Sequence, residues 1–178
     1  MAPIRTILAA PGAELPSCDD RVLKLYRHWL SIRPARDLLP GHQHLEPTEI
    51  PSLLQLIWLA DIARNPTRFR YRLVGTAHVE AASSDPTGRW YDEVHPRFRD
   101  SNAYPHFLAA AEEAKIAFYR GPPVYVVDTD WKTIERLILP LATNGRDVDK
   151  LLGITVLDPR LADPAIERDP AIAKKKEG

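Results

Sequence analysis

The stretch Arg68-Phe69-Arg70-Tyr71-Arg72-Leu73 decides the reading of this chain. Large apolar groups alternate with arginines, the period of two that a β-strand imposes because successive side chains leave opposite faces of a sheet. The pattern puts Phe69, Tyr71 and Leu73 on a buried face and the three arginines on the solvent face. Just upstream, Leu56-Ile57-Trp58-Leu59-Ala60 is apolar at consecutive positions, so a strand there is expected to be covered on both sides. Asn65-Pro66-Thr67 supplies the turn between the two.

Working outward, Val74-Gly75-Thr76 leads into a region containing Ser83-Ser84-Asp85-Pro86-Thr87-Gly88, where only turns and short helical pieces fit. From about residue 101 to 116, Phe107, Leu108, Ala111, Ala114 and Ile116 predict a longer helix before Gly121-Pro122-Pro123. Three strand signals follow at residues 124–128, 134–141 and 151–157, with polar turns between them that include Asn144-Gly145. The last is apolar on both faces around Gly153, as a central strand would be. Towards the N-terminus, Val22, Leu25, Tyr26, Trp29 and Ile32 mark one face of an amphipathic helix over residues 19–33, which Pro34 ends. Pro47-Thr48-Glu49-Ile50 reads as a short helical turn with proline at its first position.

The organisation expected from this pass is a flexible leader over 1–16, a helix and connector over 17–46, a core over 47–158 and a flexible charged tail over 159–178. A chain of 178 residues suits one domain with extensions, and its 17 prolines belong in turns and at element ends. Lys plus Arg and Asp plus Glu number 24 each, so no overall field concentrates polyanions, and nucleic acid and membranes are expected not to be partners. Cys18 is the single cysteine, which rules out an internal disulfide and suits a reducing cytoplasm. Ile7-Leu8-Ala9-Ala10 is too short for a signal core, and no run of residues is long and apolar enough to span a bilayer.

Two strands, short helices, one longer helix and three antiparallel strands is the order of a PAS domain, and the wording of the sequence resembles one too. "LYRHWLSIRP", "EPTEIPSLLQLIWLADI", "RFRYRLVGT", "DPTGRWYDEV" and "LILPLATNG…LLGITVLD" look like the stand-alone bacterial PAS family, spanning roughly residues 22 to 158. The resemblance implies an α+β fold: a five-stranded antiparallel sheet, helices across its inner face around an apolar pocket, and the N-terminal helix on the outer face. It implies a non-enzymatic sensory or regulatory module whose pocket holds haem, flavin, a chromophore, a small metabolite or nothing. Tyr26 and Trp29 need a cover, and packing on the sheet of the same chain is expected first; because the N-terminal helix of such proteins often forms a homodimer, they are also the candidates for its seam.

Within this frame the candidates for the pocket are Trp58, Phe69, Tyr71, Leu73, Tyr125 and Leu139, with Thr76 and Arg89 as polar groups at its mouth. A flavin photoadduct needs a reactive cysteine among the helices, and Cys18 precedes them, so that chemistry is disfavoured. His106, His95 and His78 are the histidines placed to ligate a haem, set against ordinary structural roles. His42-Gln43-His44 offers two metal ligands without a third, and Asp128 with Asp130 lacks a nucleophile beside it, so neither a metal nor a catalytic site is expected. The partner is then a small ligand or a regulatory protein. The alternatives are an adaptor with a filled interior and a small enzyme working in the cavity.

Overall fold

In the computed structural model, which describes residues 4–123 and 133–160, two antiparallel strands form where the central alternation places them. In chain order the elements are β1 (Arg5–Ala9), α1 (Asp20–Ser31), β2 (Ile57–Ala63), β3 (Arg68–Val74), α2 (Thr76–Ala82), α3 (Tyr91–Val94), α4 (Tyr104–Glu113), β4 (Ile116–Gly121), β5 (Ile134–Leu141) and β6 (Lys150–Val156). Three short 3-10 turns, His42–His44, Pro47–Glu49 and Pro51–Leu53, link α1 to β2. The fold is α+β, built on one six-stranded antiparallel sheet in the order β1-β4-β5-β6-β2-β3.

The sixth strand corrects the expectation of five, and also the expectation that residues 1–16 form a loose leader. β1 pairs along β4 from Arg5 opposite Arg120 to Ala9 opposite Ile116. As a five-residue edge strand with only Ile7 and Ala9 partly buried, it shows too little alternation to register as a pattern. A second correction concerns the long helix, which stops at Glu113 rather than continuing to residue 116. Ala114 takes a left-handed conformation (φ 52°), and Ile116, Ala117, Phe118 and Tyr119 then run as a fully buried strand. The strand expected at 124–128 and the tail beyond 160 lie outside the described residues.

A third correction is local and matters more for function. The pairing of β2 with β3 passes from Leu59 opposite Leu73 directly to Ala60 opposite Tyr71, so Arg72 is the extra residue of a β-bulge. One extra residue reverses the parity of everything beyond it. Leu73 therefore parts company with Phe69 and Tyr71 and is 43% exposed, while Val74 comes opposite Trp58.

The two faces of the sheet are claimed by different helices. α4 crosses β4, β5 and β6, with Phe107 stacked parallel to Trp58 at 5.4 Å and His106 against Arg136. α1 packs on β5 and β6, its start tied to Glu135 by the Asp19 backbone N–H at 2.7 Å and its middle anchored where Trp29 Nε1 donates to the Pro140 carbonyl at 3.1 Å. Since side chains alternate along β5, Glu135, Leu137, Leu139 and Leu141 lie under α1, and Ile134, Arg136 and Ile138 point to α4.

Tyr26 and Trp29, the candidate dimer seam, are buried within their own chain at 3% and 0% exposure. They stack on each other, and the Tyr26 hydroxyl donates to the Ala13 carbonyl and accepts from the Gly12 N–H. Burying side chains of this size contributes roughly 1.5–3 kcal/mol each, enough to hold α1 to the sheet without a partner. Packing on the sheet of the same chain, the first of the two expected fates, is thus the one observed for Tyr26 and Trp29, and neither is left exposed as a seam.

Gly153 has a steric role. A Cβ at that position would fall 2.0 Å from the indole carbons of Trp58, so no other residue can sit beneath the ring. Gly153→Ala is expected to destabilise the chain by roughly 1–3 kcal/mol in urea unfolding, with Trp58→Leu restoring part of the loss in the double variant. An unchanged midpoint in the single variant would mean that the indole does not cover the strand.

Candidate ligand cavity

Trp58, Tyr71 and Val74 on the sheet and His78, Tyr91 and His95 on the short helices enclose a cavity of about 130 Å³. Thr155 and Leu157 at the end of β6, Ile134 of β5, Pro123, and the small groups Ala81, Ala82, Pro86 and Val94 complete its described wall. The arrangement follows from how the chain between β3 and α4 is pinned. Tyr71 exchanges backbone hydrogen bonds with residues 88 and 89, donating to the Arg89 carbonyl and accepting from the Gly88 N–H, so the turn after Pro86 is zipped to the open edge of β3. Gly88 adopts φ +84°, a conformation that glycine takes without strain. That attachment sets Tyr91 on Tyr71, ring over ring at 3.8 Å, and brings α3 over the sheet.

The polar groups of the wall are few and are held in place. Trp58 Nε1 donates to Thr155 Oγ1 at 3.1 Å. The Tyr71 hydroxyl and His95 Nε2 share a hydrogen bond of 2.8 Å. His78 Nε2 lies 2.6 Å from the Leu56 carbonyl, which can only accept, so Nε2 carries the proton and Nδ1 keeps the lone pair in the neutral ring. Burial lowers both imidazoles, His95 to about 4, and so favours the uncharged ring in each.

Of the residues singled out from sequence, Trp58 and Tyr71 line the cavity. Phe69 is buried deeper, edge-on to Phe98 and Phe107. Leu73 is turned away by the bulge, and Leu139 lies on the opposite face under α1. Thr76 opens α2 with its side chain exposed, and Arg89 is exposed and meets β3 through its backbone alone. Tyr125, Asp128 and Asp130 lie outside the described residues. Sequence reasoning missed Tyr91, Val94 and Val74; the spacing of Tyr91 and Val94 on a helical turn was the available signal, whereas Val74 needed knowledge of the bulge.

The cavity bounded by the described residues is smaller than a haem requires. A cavity of about 130 Å³ is on the scale of the ~150 Å³ hole that admits benzene, against roughly 300–1,000 Å³ for larger organic ligands. Nor are the histidines disposed for it. His106 is outside the wall, where its Nδ1 accepts from Arg136 Nη2 at 3.2 Å, and burial together with that guanidinium brings it down to about 4. Cys18 sits at the start of α1 beside Glu135, and burial, then that carboxylate, push its thiol up to about 12, far from a reactive state. His44 Nδ1 accepts from the Gly41 N–H, and no group of three metal-ligating side chains occurs among the described residues.

No family model matches the sequence, and no curated protein matches it. A solved structure described as that of an RNA-binding Light-Oxygen-Voltage receptor is similar over 98% of this chain, with 15% identity and a TM-score of 0.48. The chain spans 43% of the length of that receptor. The receptor is described as RNA-binding, and the expectation that nucleic acid is not a partner is withdrawn. A zero net charge sums over the whole surface and does not bear on a local one: Arg70 and Arg72 stand about half exposed side by side on β3. Among the described residues no helix is long and apolar enough to cross a membrane.

The depressed histidines give a pH dependence of definite sign. His95 and His106 titrate near 4 when folded and near 6.5 in the unfolded chain, so between those values the unfolded state binds more protons. Their contribution is complete above about 6.5 and is lost as pH falls towards 4. Urea unfolding from pH 7 to 4.5 is expected to show falling stability, each histidine adding at most about 1.4 kcal/mol per pH unit. His95→Gln should flatten the profile; an identical slope would mean that His95 is solvated.

Proposed function

We propose that this chain is a non-enzymatic regulatory module of the PAS type, working in the cytoplasm, that takes up a small organic ligand and passes the signal on by contact. The observation that carries the reading is the cavity between the sheet and the short helices, walled mainly by aromatic and aliphatic groups. Ligand sites are concave and mostly apolar, with a few oriented polar groups, and this one combines such a wall with Thr155, Tyr71 and two fixed imidazoles. The order of elements from β2 to β6 supports the PAS reading. The non-catalytic part rests on the engagement of those polar groups with one another and with backbone, where a nucleophile and its base would need to face a substrate.

The bulge provides the test. Val74→Trp places a large ring in the cavity, and Leu73→Trp, one residue away, places it outside. Native mass spectrometry of the full chain from cell extracts, with thermal unfolding against a panel of small organic compounds, should detect a ligand on the wild type and on Leu73→Trp. Val74→Trp should lose it. Stabilisation at a hundredfold excess over Kd is expected to be about 2.7 kcal/mol. Binding that survives Val74→Trp would move the site elsewhere, and a bare polypeptide mass with no stabilising compound would overturn the ligand-binding reading in favour of a filled adaptor.

A further inference from the structure

The cavity wall carries more information than its existence. Its described side chains include five aromatic or imidazole rings and aliphatic groups, and among the described residues none of them is Lys, Arg, Asp or Glu. A charged guest would lose water there with no counter-charge among the described side chains to meet it, a costly desolvation. The stacked rings of Tyr71 and Tyr91, with Trp58 set edge-on to Tyr91, offer flat surfaces to a flat molecule. Size sets a further limit, since about 130 Å³ holds one ring or a small fused pair. His78 adds direction: its Nε2 proton is committed to the Leu56 carbonyl, so what this ring can offer a guest is a lone pair on Nδ1.

We infer that the ligand is an uncharged planar aromatic compound of one or two fused rings carrying a single hydroxyl or N–H group, a phenol or an indole in chemical class, whose donor is received by His78. The inference rests on the ligand-binding reading above and narrows it.

Phenol, indole, toluene and benzoate are the probes, titrated into the full chain by calorimetry at pH 7. Phenol and indole should bind at a site that Val74→Trp abolishes. Benzoate matches phenol in shape but carries a charge, and should bind at least about tenfold more weakly. His78→Leu should weaken phenol relative to toluene by about three- to tenfold, with toluene binding itself reporting that the cavity persists. Benzoate binding as tightly as phenol would overturn the neutral class without any variant being needed. An unchanged phenol-to-toluene ratio in His78→Leu would overturn the role of His78. If cell-derived protein carries an adduct that is charged or larger than two rings, the class falls while the ligand-binding reading stands. If neither probes nor adduct bind, both fall.

Discussion

The indole of Trp58 covers Gly153, with its other side stacked on Phe107 and its Nε1 donating to Thr155, and the inner half of this molecule is arranged around that contact. A tryptophan on one strand can lie across its neighbour when the neighbour has no side chain at the crossing point. Gly153 thus lets the ring down onto the sheet, and the flattened ring gives α4 a surface on which Phe107 packs in parallel. Phe107 in turn carries Phe69, Phe98 and Tyr91 at centroid distances of 5.0–5.2 Å. The aromatic layer extends from there to Tyr71 and ends at the cavity. The hole is where this chain of rings stops and the small residues of α2 begin.

The outer face depends on a different kind of contact. Glu135 is fully buried, accepts the Asp19 N–H, and faces Arg120 at 3.6 Å. Burial pushes its carboxyl upward, whereas the Arg21 guanidinium and the Arg160 backbone N–H hold the Asp19 carboxyl well below the usual range. The two acids meet at the first turn of α1, where Asp19 caps the helix by accepting the Arg21 N–H. Asp158 and Arg160 reach the same cap just after Thr155 and Leu157 have lined the cavity. A few residues at the end of β6 therefore touch both the cavity wall and the cap of α1.

How much of this could be read from the residues depended on whether a local pattern carried it. Alternation at 68–71 gave β3 and its inner face, consecutive apolar residues gave β2, and the apolar surroundings of Gly153 gave a central strand. The amphipathic helix over 19–33 was equally plain, because 3.6-residue spacing of Val22, Leu25, Tyr26 and Trp29 has no competing reading. What failed were features decided by pairing. β1 is a strand because β4 offers it an edge, the helix ends at Ala114 through a left-handed residue that sequence does not announce, and Arg72 bulges through the register between two strands. The cavity inherited that last error: Leu73 and Val74 exchanged places, and Leu139 was assigned to the wrong face for lack of a way to tell α1's side of β5 from α4's.

Charge is segregated rather than scarce, and this bears on what each surface can recognise. Outside, Arg70 and Arg72 share Asp61 at 3.5 and 3.6 Å, and Arg68 pairs with Asp92 while standing over the Trp90 ring. Exposed pairs of this kind contribute at most about 1 kcal/mol each, so their arginines can exchange partners readily. Inside, the only cation in the described aromatic layer is Arg136, held between Tyr119 and Phe107 and against His106, outside the cavity wall. Burial first, and the neighbouring Arg136 guanidinium second, keep His106 neutral. Uncharged rings thus line the described cavity wall, while the exposed arginines and carboxylates pair on the exterior.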